Sequence, residues 1–404
     1  MSEFWRNYRS TAFLLLGIIA GGVAGVVAGP SASVVKPVGD IFLNLIFVLV
    51  VPLVFFSIAQ GMCSLKKGNL IGKVLGTTVG VFFVMSIIAG ILAYIMLLLW
   101  NPFDGIEAAG VSSELSMMSD ASVGDVIVRT FTVPDFSMLL SKSNLMPLIV
   151  FSAILGLAVA VLGDKASTVQ RFLSEGEAVV MKMMEAVMFI APVGLGCYFA
   201  DMIGNIGSAI VGSYLEVFIE YWIMALIVYA IIHSVYILSC RGNLLRFWKN
   251  MITPSLTAIG TCSSAACIPV NIAAAKEMGV NSSVSESVIP IGINIHKDGS
   301  VMTAVVKIAF AMVFFSKFNP SPGNAAVVIL MAILVSVVTG AVPIGGMTGE
   351  ILICSLLGVD PSFAATLLLI GTITDMPATL VNSTANVVGA YVVSSITEEK
   401  DMPR

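Results

Sequence analysis

Long apolar runs, separated by short charged segments, form the first pattern along the chain. A helix needs about 20 residues to cross the hydrocarbon core of a bilayer. Charge-free runs of that order occupy 11–29, 41–65, 74–103, 143–163 and 221–240, and a less uniform apolar span lies near 183–204. The pattern therefore predicts an all-α, polytopic membrane protein whose first span begins close to the N-terminus.

Basic residues are distributed unevenly between the predicted spans. They precede the first span and follow the second, fourth and sixth, at Arg6, Arg9, Lys66, Lys67, Lys73, Lys165, Arg171, Arg241, Arg246 and Lys249. All of these segments fall on one side of the membrane, which the positive-inside rule makes cytoplasmic. The N-terminus is therefore expected in the cytoplasm, and the long, acidic segment 104–142 outside.

Two later apolar segments are interrupted by small and polar residues. Residues 250–275 contain "PSLTAIGTCSSAACIPVN", and residues 319–349 contain "SVVTGAVPIGGMTG". Unwound backbone survives in a bilayer only inside protein or along a wet cavity. Two interrupted segments, each followed by a helix with polar residues, indicate a secondary transporter with an internal repeat and a binding site near the membrane midplane. Two ordinary glycine-kinked spans are the alternative.

The helices that follow these segments carry ionisable residues in apolar surroundings. The first, "SESVIPIGINIHKDGSVMTAVV", has His296, Lys297 and Asp298 in its middle. The second, "TITDMPATLVNSTANVVGAYVV", has Asp375 as its one charged residue, and helical spacing places Thr379, Asn382 and Asn386 on the same stripe. An intramembrane carboxylate indicates a functional site. The alternative is a structural acid paired with Lys297.

Composition narrows the classes of function. The 404 residues are 58% hydrophobic and 11% charged, with a net charge of −4, which does not favour nucleic acid as a partner. The six cysteines are scattered without metal-ligand spacing, and Cys262 and Cys267 are interpreted as packing residues. Ser263 and Ser264 have no recognisable base, so we expect no enzyme and no cofactor.

The quoted segments resemble the dicarboxylate/amino acid:cation symporter family, which includes glutamate and neutral amino acid transporters. The resemblance rests on "CSSAACIPVNIAAAKEMGV", on Asp298-Gly299-Ser300 and on "DMPATLVNSTAN". It implies a homotrimer of elevator-type transporters with eight membrane helices, inverted repeats and two re-entrant hairpins. It also implies a bacterial inner-membrane protein surrounded by lipid.

The resemblance divides the chain into a scaffold and a transport domain. Scaffold helices 1–2 are expected in 1–73 and scaffold helices 4–5 in 143–215, with an extracellular loop at 104–142. The transport domain would take helix 3 (74–103) and residues 216–404. Within the latter, the resemblance implies helix 6, hairpin 1 near 250–275, helix 7 near 283–316, hairpin 2 near 322–357 and helix 8 near 361–396.

Substrate roles can be assigned from the family by position. Cys262, Ser263 and Ser264 match the hairpin tip that contacts the substrate carboxylate, and Asp375 matches the acid that holds its amino group. The remaining expected pocket residues are Ser300, Thr379, Asn382 and, at the second hairpin tip, Val342, Pro343 and Gly346. Backbone N–H groups at unwound tips suit a carboxylate, and a desolvated carboxylate suits an ammonium.

Two departures from the family concern substrate charge. Members that carry acidic substrates have an arginine where this chain has Ala378, or at the position of Cys262. A second substrate carboxylate would therefore be buried without a partner, which is costly. We predict a small neutral amino acid as substrate. The alternative is transport of a C4-dicarboxylate or an acidic amino acid, with Lys297 as the counter-charge of the second carboxylate. Channel activity is a lesser alternative.

Further departures concern the coupling ion. The family's Asn-Met-Asp motif is His296-Lys297-Asp298 here, and acids of many members are replaced by Asn386 and Gly371. A Tyr and a Thr of the third helix match Phe82 and Met85. Candidate Na⁺ ligands by position are Gly292, Asn294, Asp298, Ser336, Val337, Thr339, Asn382 and Asn386.

A lysine beside Asp298 can stand where a sodium ion would otherwise be. With His296 neutral, Lys297, Asp298 and Asp375 sum to a charge of −1. We therefore expect coupling to fewer Na⁺ ions than usual, to H⁺, or to none, as in a Na⁺-independent exchanger. His296 and Lys297 are the titratable candidates, and a fixed counter-ion role for Lys297 is the alternative.

Overall fold

The chain folds almost entirely into helices, with no strand in the part that the structure describes. The structure, a computed structural model, describes residues 2–63, 71–103, 128, 131–141, 144–206, 209–315, 322–341 and 347–397. The helices are Ser2–Ala28, Lys36–Cys63, Ile71–Leu99, Phe136–Leu139, Leu145–Leu162, Ser167–Phe189, Ala191–Ile206, Ala209–Leu226, His233–Ser239, Leu244–Thr261, Ile268–Glu277, Ser282–Ile295, Asp298–Phe314, Ala325–Ala341, Thr348–Leu357 and Ala364–Thr397. The all-α prediction is confirmed.

Several helices are suited to a membrane by length and composition. Within the described ranges, five stretches could cross a bilayer: Leu16–Cys63, Gly76–Leu99, Leu145–Val187, Gly212–Ser239 and Pro361–Thr397. The first of these contains two helices joined by a 3₁₀ turn at Gly29–Val35. Ala325–Gly340 and Thr348–Leu357 are shorter apolar helices. A multi-pass membrane protein is therefore supported, while the eight spans and the two-domain division stay predictions.

The apolar region near 183–204 is divided rather than continuous. Helix Ser167–Phe189 ends before a turn at Ile190, and helix Ala191–Ile206 begins directly after it. Pro192 lies at the start of the second helix, where the missing N–H of proline costs no helical hydrogen bond. The single span expected here is thus two helices.

Helix Ser2–Ala28 packs closely against helix Ala191–Ile206 through residues without side chains. A Cβ atom at Gly21 would overlap the carbonyl group of Gly196, and one at Gly25 would lie 2.6 Å from the carbonyl oxygen of Ala200. Small residues spaced by four let helix backbones approach each other in membranes. The glycine-rich start of the chain is therefore explained by this contact.

The second half of the chain contains both predicted interruptions. Helices Leu244–Thr261 and Ile268–Glu277 pack against each other and are joined by a turn; we call this pair the first hairpin. Helices Ala325–Ala341 and Thr348–Leu357 form the second hairpin, whose tip, 342–346, lies outside the described residues. Whether either hairpin re-enters the membrane stays a prediction.

Between the hairpins lies a helix that is interrupted at His296 and Lys297. Its halves are Ser282–Ile295 and Asp298–Phe314, and we call the two together the broken helix. The second half packs against helix Ile71–Leu99, the second hairpin and the last helix, Ala364–Thr397. The interruption therefore lies where the hairpins and the last helix converge.

Candidate substrate-binding site

A cavity of about 510 Å³ lies between the two hairpins, the broken helix and the last helix. Its described lining includes the tip of the first hairpin, Asn294, Lys297, Ser300, Thr303 and Lys307 of the broken helix, Thr339, Gly340 and Glu350 of the second hairpin, and Gly371, Asp375, Ala378, Thr379 and Asn382 of the last helix. This volume is sufficient for a small organic solute. Ile46 of helix Lys36–Cys63 closes one side.

The predicted substrate residues that the structure describes all line this cavity. They are Cys262, Ser263, Ser264, Ser300, Asp375, Ala378, Thr379 and Asn382. Val342, Pro343 and Gly346 lie outside the described residues. The stripe expected on the last helix is thus present as far as Asn382, because residues three and four apart share one helical face.

The tip of the first hairpin is a tight turn with amide groups left over. Cys262 has a φ of +47°, in the left-handed region, where helix Leu244–Thr261 ends. The Ala266 amide donates to Ser263 Oγ (3.3 Å) and the Cys267 amide to the Ser264 carbonyl (3.2 Å). The amides of Ser264 and Ala265 have no partner in the described structure. They and the start of helix Ile268–Glu277 suit an anionic group.

Asn382 joins the last helix to the broken helix. The Ser300 amide donates to its Oδ1 atom (3.1 Å), and its Nδ2 group donates to Ser300 Oγ (3.1 Å). The side chain of Asn382 is therefore already committed to Ser300. The hydroxyl proton of Ser300 remains available to a bound molecule, because this hydroxyl accepts from Asn382.

Asp375 and Lys297 bring opposite charges to the same cavity. Each lies within electrostatic range of the other, yet no ion pair joins them and neither side chain makes a hydrogen bond within the described residues. The interpretation of Asp375 as a structural acid paired with Lys297 does not match this geometry. Both side chains are therefore available to a charged solute.

His296 points away from the cavity and into the protein. Its ring stacks on Phe82 with centroids 4.1 Å apart, and its Nδ1 atom lies 3.1 Å from Asn386 Oδ1. Asn386 Nδ2 donates to the Asn382 carbonyl (2.9 Å), so Asn386 Oδ1 accepts and His296 Nδ1 carries the proton. The other ring nitrogen, Nε2, lies 3.0 Å from Asp298 Oδ1, without hydrogen-bond geometry.

Asp298 and the other candidate Na⁺ ligands are held by protein donors. Asp298 Oδ1 accepts from Ser86 Oγ (3.1 Å), and Ser336 Oγ donates to the Lys297 carbonyl (3.1 Å). Thr339 Oγ1 donates in turn to the Ser336 carbonyl (3.0 Å). These oxygens lie in two separate places, behind the cavity and on the second hairpin, and protein donors already engage those of Asp298, Ser336 and Asn386.

The remaining ion candidates are not gathered in one place. Asn294 and Thr339 line the cavity, whereas Val337 is 39% exposed and does not. A Cβ atom at Gly292 would overlap Asn386 Oδ1, so Gly292 lies directly beside that amide. The searched part of the structure contains no group of three or more His, Cys, Asp or Glu residues suited to a metal ion.

An ion pair that the sequence did not predict lies at one end of the cavity. Lys307 Nζ contacts Glu350 Oε1, and the two side chains are only 10% and 7% exposed. Gly371 makes room for the ammonium group, because a Cβ atom there would lie 2.6 Å from Lys307 Nζ. The sequence offered only two isolated charges 43 residues apart.

Tyr221 supports the broken helix from outside the cavity. Its hydroxyl donates to the Gly299 carbonyl (2.6 Å) and accepts from Thr303 Oγ1 (3.0 Å). The preceding residue, Glu220, is fully buried, and neither of its carboxylate oxygens has a hydrogen-bond partner in the described structure. Neither residue was predicted from the sequence, because both lie at the edge of an apolar run.

Comparisons with known proteins identify the family of the chain. Residues 11–396 match the sodium:dicarboxylate symporter family, and the chain belongs to that family. The chain is 26% identical to a C4-dicarboxylate transport protein of Bacillus subtilis, over 86% of this chain and 83% of that protein. It is 24% identical to human neutral amino acid transporter A, over 98% of this chain and 83% of that protein.

A third relative is the proton/sodium-glutamate symport protein of Geobacillus stearothermophilus. It is 25% identical to this chain, over 94% of this chain and 92% of that protein. The family consists of transporters for small molecules and not of enzymes, and it supports cation-coupled symport of dicarboxylates or amino acids. The resemblance inferred from the hairpin and last-helix motifs is thereby confirmed.

Proposed function

We propose that this protein is a secondary active transporter that takes up a small neutral amino acid. The observation that carries the proposal is Asp375, a carboxylate open to the cavity without a hydrogen-bonded partner in the described structure, together with the free amides of the first hairpin tip. An α-amino acid supplies the ammonium for Asp375 and the carboxylate for the tip. Each charge of the solute then has a counterpart.

The charge balance of the cavity supports a neutral amino acid over an acidic one. Its described charged side chains are Lys297, Lys307, Glu350 and Asp375, which cancel. Glu350 already neutralises Lys307. Ala378 and Cys262, at the positions where acidic-substrate members carry an arginine, also line the cavity. A side-chain carboxylate would therefore meet no arginine, and Lys297 would be its one unpaired counter-charge among the described lining residues.

Dicarboxylate transport is the second candidate, and Lys297 is the observation that favours it. This lysine lines the cavity without an ion-pair partner in the described residues, so it could pair with a second carboxylate. The Bacillus subtilis relative is named a C4-dicarboxylate transport protein. Asp375 argues against this alternative, because it would face the same solute without a positive group to bind.

We further propose that coupling uses fewer Na⁺ ions than is usual in the family, or H⁺ instead. His296 and Lys297 supply basic side chains where the family has Asn and Met, and the described contacts of Asp298 are to Ser86 and His296. A Na⁺-independent exchanger and a fixed counter-ion role for Lys297 are the alternatives. We also propose, from the resemblance alone, a bacterial inner-membrane homotrimer with an elevator mechanism.

Uptake by purified protein in liposomes tests these proposals. Labelled serine, alanine and threonine would be compared with aspartate and succinate under an imposed Na⁺ gradient, an imposed pH gradient, and neither. We expect uptake of the neutral amino acids, and Asp375→Asn should abolish it. Preferred uptake of succinate, lost in Lys297→Met but kept in Asp375→Asn, would establish the dicarboxylate alternative instead.

The same assay decides the coupling ion. Uptake driven by the pH gradient and indifferent to Na⁺ would support H⁺ coupling. Strict dependence on Na⁺, with the stoichiometry of relatives that carry several Na⁺ ions, would refute the proposal of reduced Na⁺ coupling. Equal exchange of internal for external amino acid without either gradient would identify an exchanger.

A further inference from the structure

The Lys307–Glu350 pair is a polar surface on the wall of the cavity, apart from the charges of Lys297 and Asp375. Both residues line the cavity, Lys307 from the broken helix and Glu350 from the second hairpin. A buried ion pair is weak as a stabilising device, because hydrophobic residues of similar volume serve the fold as well. Its location on the cavity wall therefore points to recognition of the bound molecule.

The pair keeps hydrogen-bonding capacity that the protein does not use. An ammonium group has three donors, and within the described residues Lys307 Nζ donates only to Glu350 Oε1. Glu350 Oε2 has no hydrogen-bond partner among the described residues and is not one of the fully enclosed polar atoms that lack one, and both residues line the cavity. The wall thus presents donors and an acceptor side by side, with no net charge.

A terminal carboxamide complements such a surface. Its NH₂ group can donate to Glu350 while its carbonyl oxygen accepts from Lys307. A carboxylate would meet the charge of Glu350, and an ammonium the charge of Lys307. An aliphatic side chain would desolvate both groups without replacing their hydrogen bonds. Polar groups left unpaired in this way are the strongest basis on which a site rejects a similar molecule.

The position of the pair relative to Asp375 fits this reading. Lys307 Nζ lies against Gly371, which precedes Asp375 by four residues on the last helix. Four helical residues rise by about 6 Å. With the ammonium of an amino acid at Asp375, the side chain of asparagine or glutamine spans this interval, and that of alanine does not.

We propose that Lys307 and Glu350 form the side-chain subsite of this transporter and select amino acids with a terminal carboxamide, asparagine and glutamine. The proposal rests on the proposed function, since it assumes that an amino acid occupies the cavity. It goes beyond that function in naming the substrate class and the two residues that determine it. No change in protonation of either residue is required.

Competition against labelled alanine in proteoliposomes tests the subsite. Unlabelled glutamine, asparagine, leucine, aspartate and lysine would be titrated as inhibitors of alanine uptake. We expect glutamine or asparagine to inhibit on the order of 10- to 100-fold more tightly than leucine, aspartate or lysine. Failure to take up any amino acid would refute the proposed function itself. Uptake of alanine with no preference for carboxamides would refute the subsite and leave the proposed function intact.

Variants identify the pair as the cause of the preference. Lys307→Met with Glu350→Leu removes both charges together, so no single buried charge is left behind. We expect this double variant to lose the preference for glutamine, measured as the ratio of the inhibition constants of leucine and glutamine, whatever its rate of alanine uptake. The matched control is Lys276→Met with Glu286→Leu, an ion pair of the same type that lies outside the cavity and should leave the preference unchanged.

A milder variant guards against misfolding of the double variant. In Gly371→Ala, the added methyl carbon would lie 2.6 Å from Lys307 Nζ and 3.4 Å from Glu350 Oε1, so the ammonium must shift. We expect the inhibition constant of glutamine to rise relative to that of leucine. An equal loss for alanine and glutamine in both variants would show a structural role only and would overturn the proposal.

Discussion

The Lys307–Glu350 pair makes a quantitative prediction about stability. Lys307→Met alone leaves Glu350 charged and only 7% exposed, and Glu350→Leu alone leaves Lys307 charged and 10% exposed. Breaking a buried pair in this way costs about 3–5 kcal/mol. We expect each single variant to lose about 3 kcal/mol, the lower end of that range, because both groups border the cavity.

Removal of both partners should be much less harmful than either single change. An apolar replacement of similar volume is often close to neutral, so the double variant should lose about 1 kcal/mol or less. The loss should therefore fall far below the sum of the two single losses. That non-additivity measures the coupling between the two residues.

Equilibrium unfolding of the purified protein in mixed micelles supplies the measurement. The exposed pair Lys276–Glu286, with side chains 38% and 57% exposed, is the control, and its single variants should each lose less than about 1 kcal/mol. Single losses at Lys307 and Glu350 no larger than those of the control, or additive losses in the double variant, would refute the buried-pair reasoning.

Three further substitutions have expected outcomes. Asp375→Asn should weaken amino acid binding by on the order of 100-fold in a binding titration, because a charge-assisted hydrogen bond is lost; unchanged affinity would exclude Asp375 from the ammonium site. Gly21→Ala should lower the free energy of unfolding by about 1–3 kcal/mol, because the added methyl group overlaps Gly196. Gly61→Ala, where the space is open, should leave it unchanged, and equal effects of the two variants would contradict the close packing. His296→Asn restores the family's residue and should increase the stimulation of uptake by Na⁺; no change across a Na⁺ titration would count against His296 as the cause of reduced coupling.

The interruptions of the fold were predictable from local sequence. His296 and Lys297 sit in an apolar surrounding, and the helix is broken at these two residues. The small residues around Cys262 mark the turn of the first hairpin in the same way. The break and the turn depend on residues close together in the sequence, because polar and small residues disfavour a continuous apolar span.

The spans were harder to predict than the interruptions. The hairpin arms Ile268–Glu277 and Thr348–Leu357 are too short to cross a bilayer as single helices. Hydropathy therefore could not distinguish a re-entrant arm from a buried helix. The turn at Ile190 was also missed, because an apolar run looks the same whether or not it bends.

The candidate site divides into a part visible in the sequence and a part that depends on tertiary structure. The stripe of Asp375, Thr379 and Asn382 was predicted from helical spacing, and all three residues line the cavity. The pairing of Lys307 with Glu350 could not be predicted, because it joins elements far apart in the chain. The direction of His296 was equally hidden, since it depends on stacking against a residue of another helix.

The contact between helices Ser2–Ala28 and Ala191–Ile206 has a mechanical consequence. Where backbones touch without intervening side chains, no rotamer can adjust to accommodate sliding. These two helices are therefore expected to move as one rigid unit, with slow hydrogen exchange of the backbone amides along the contact. Any sliding between parts of the molecule is expected instead at surfaces lined by deformable side chains, such as the one that Ile46 presents to the cavity.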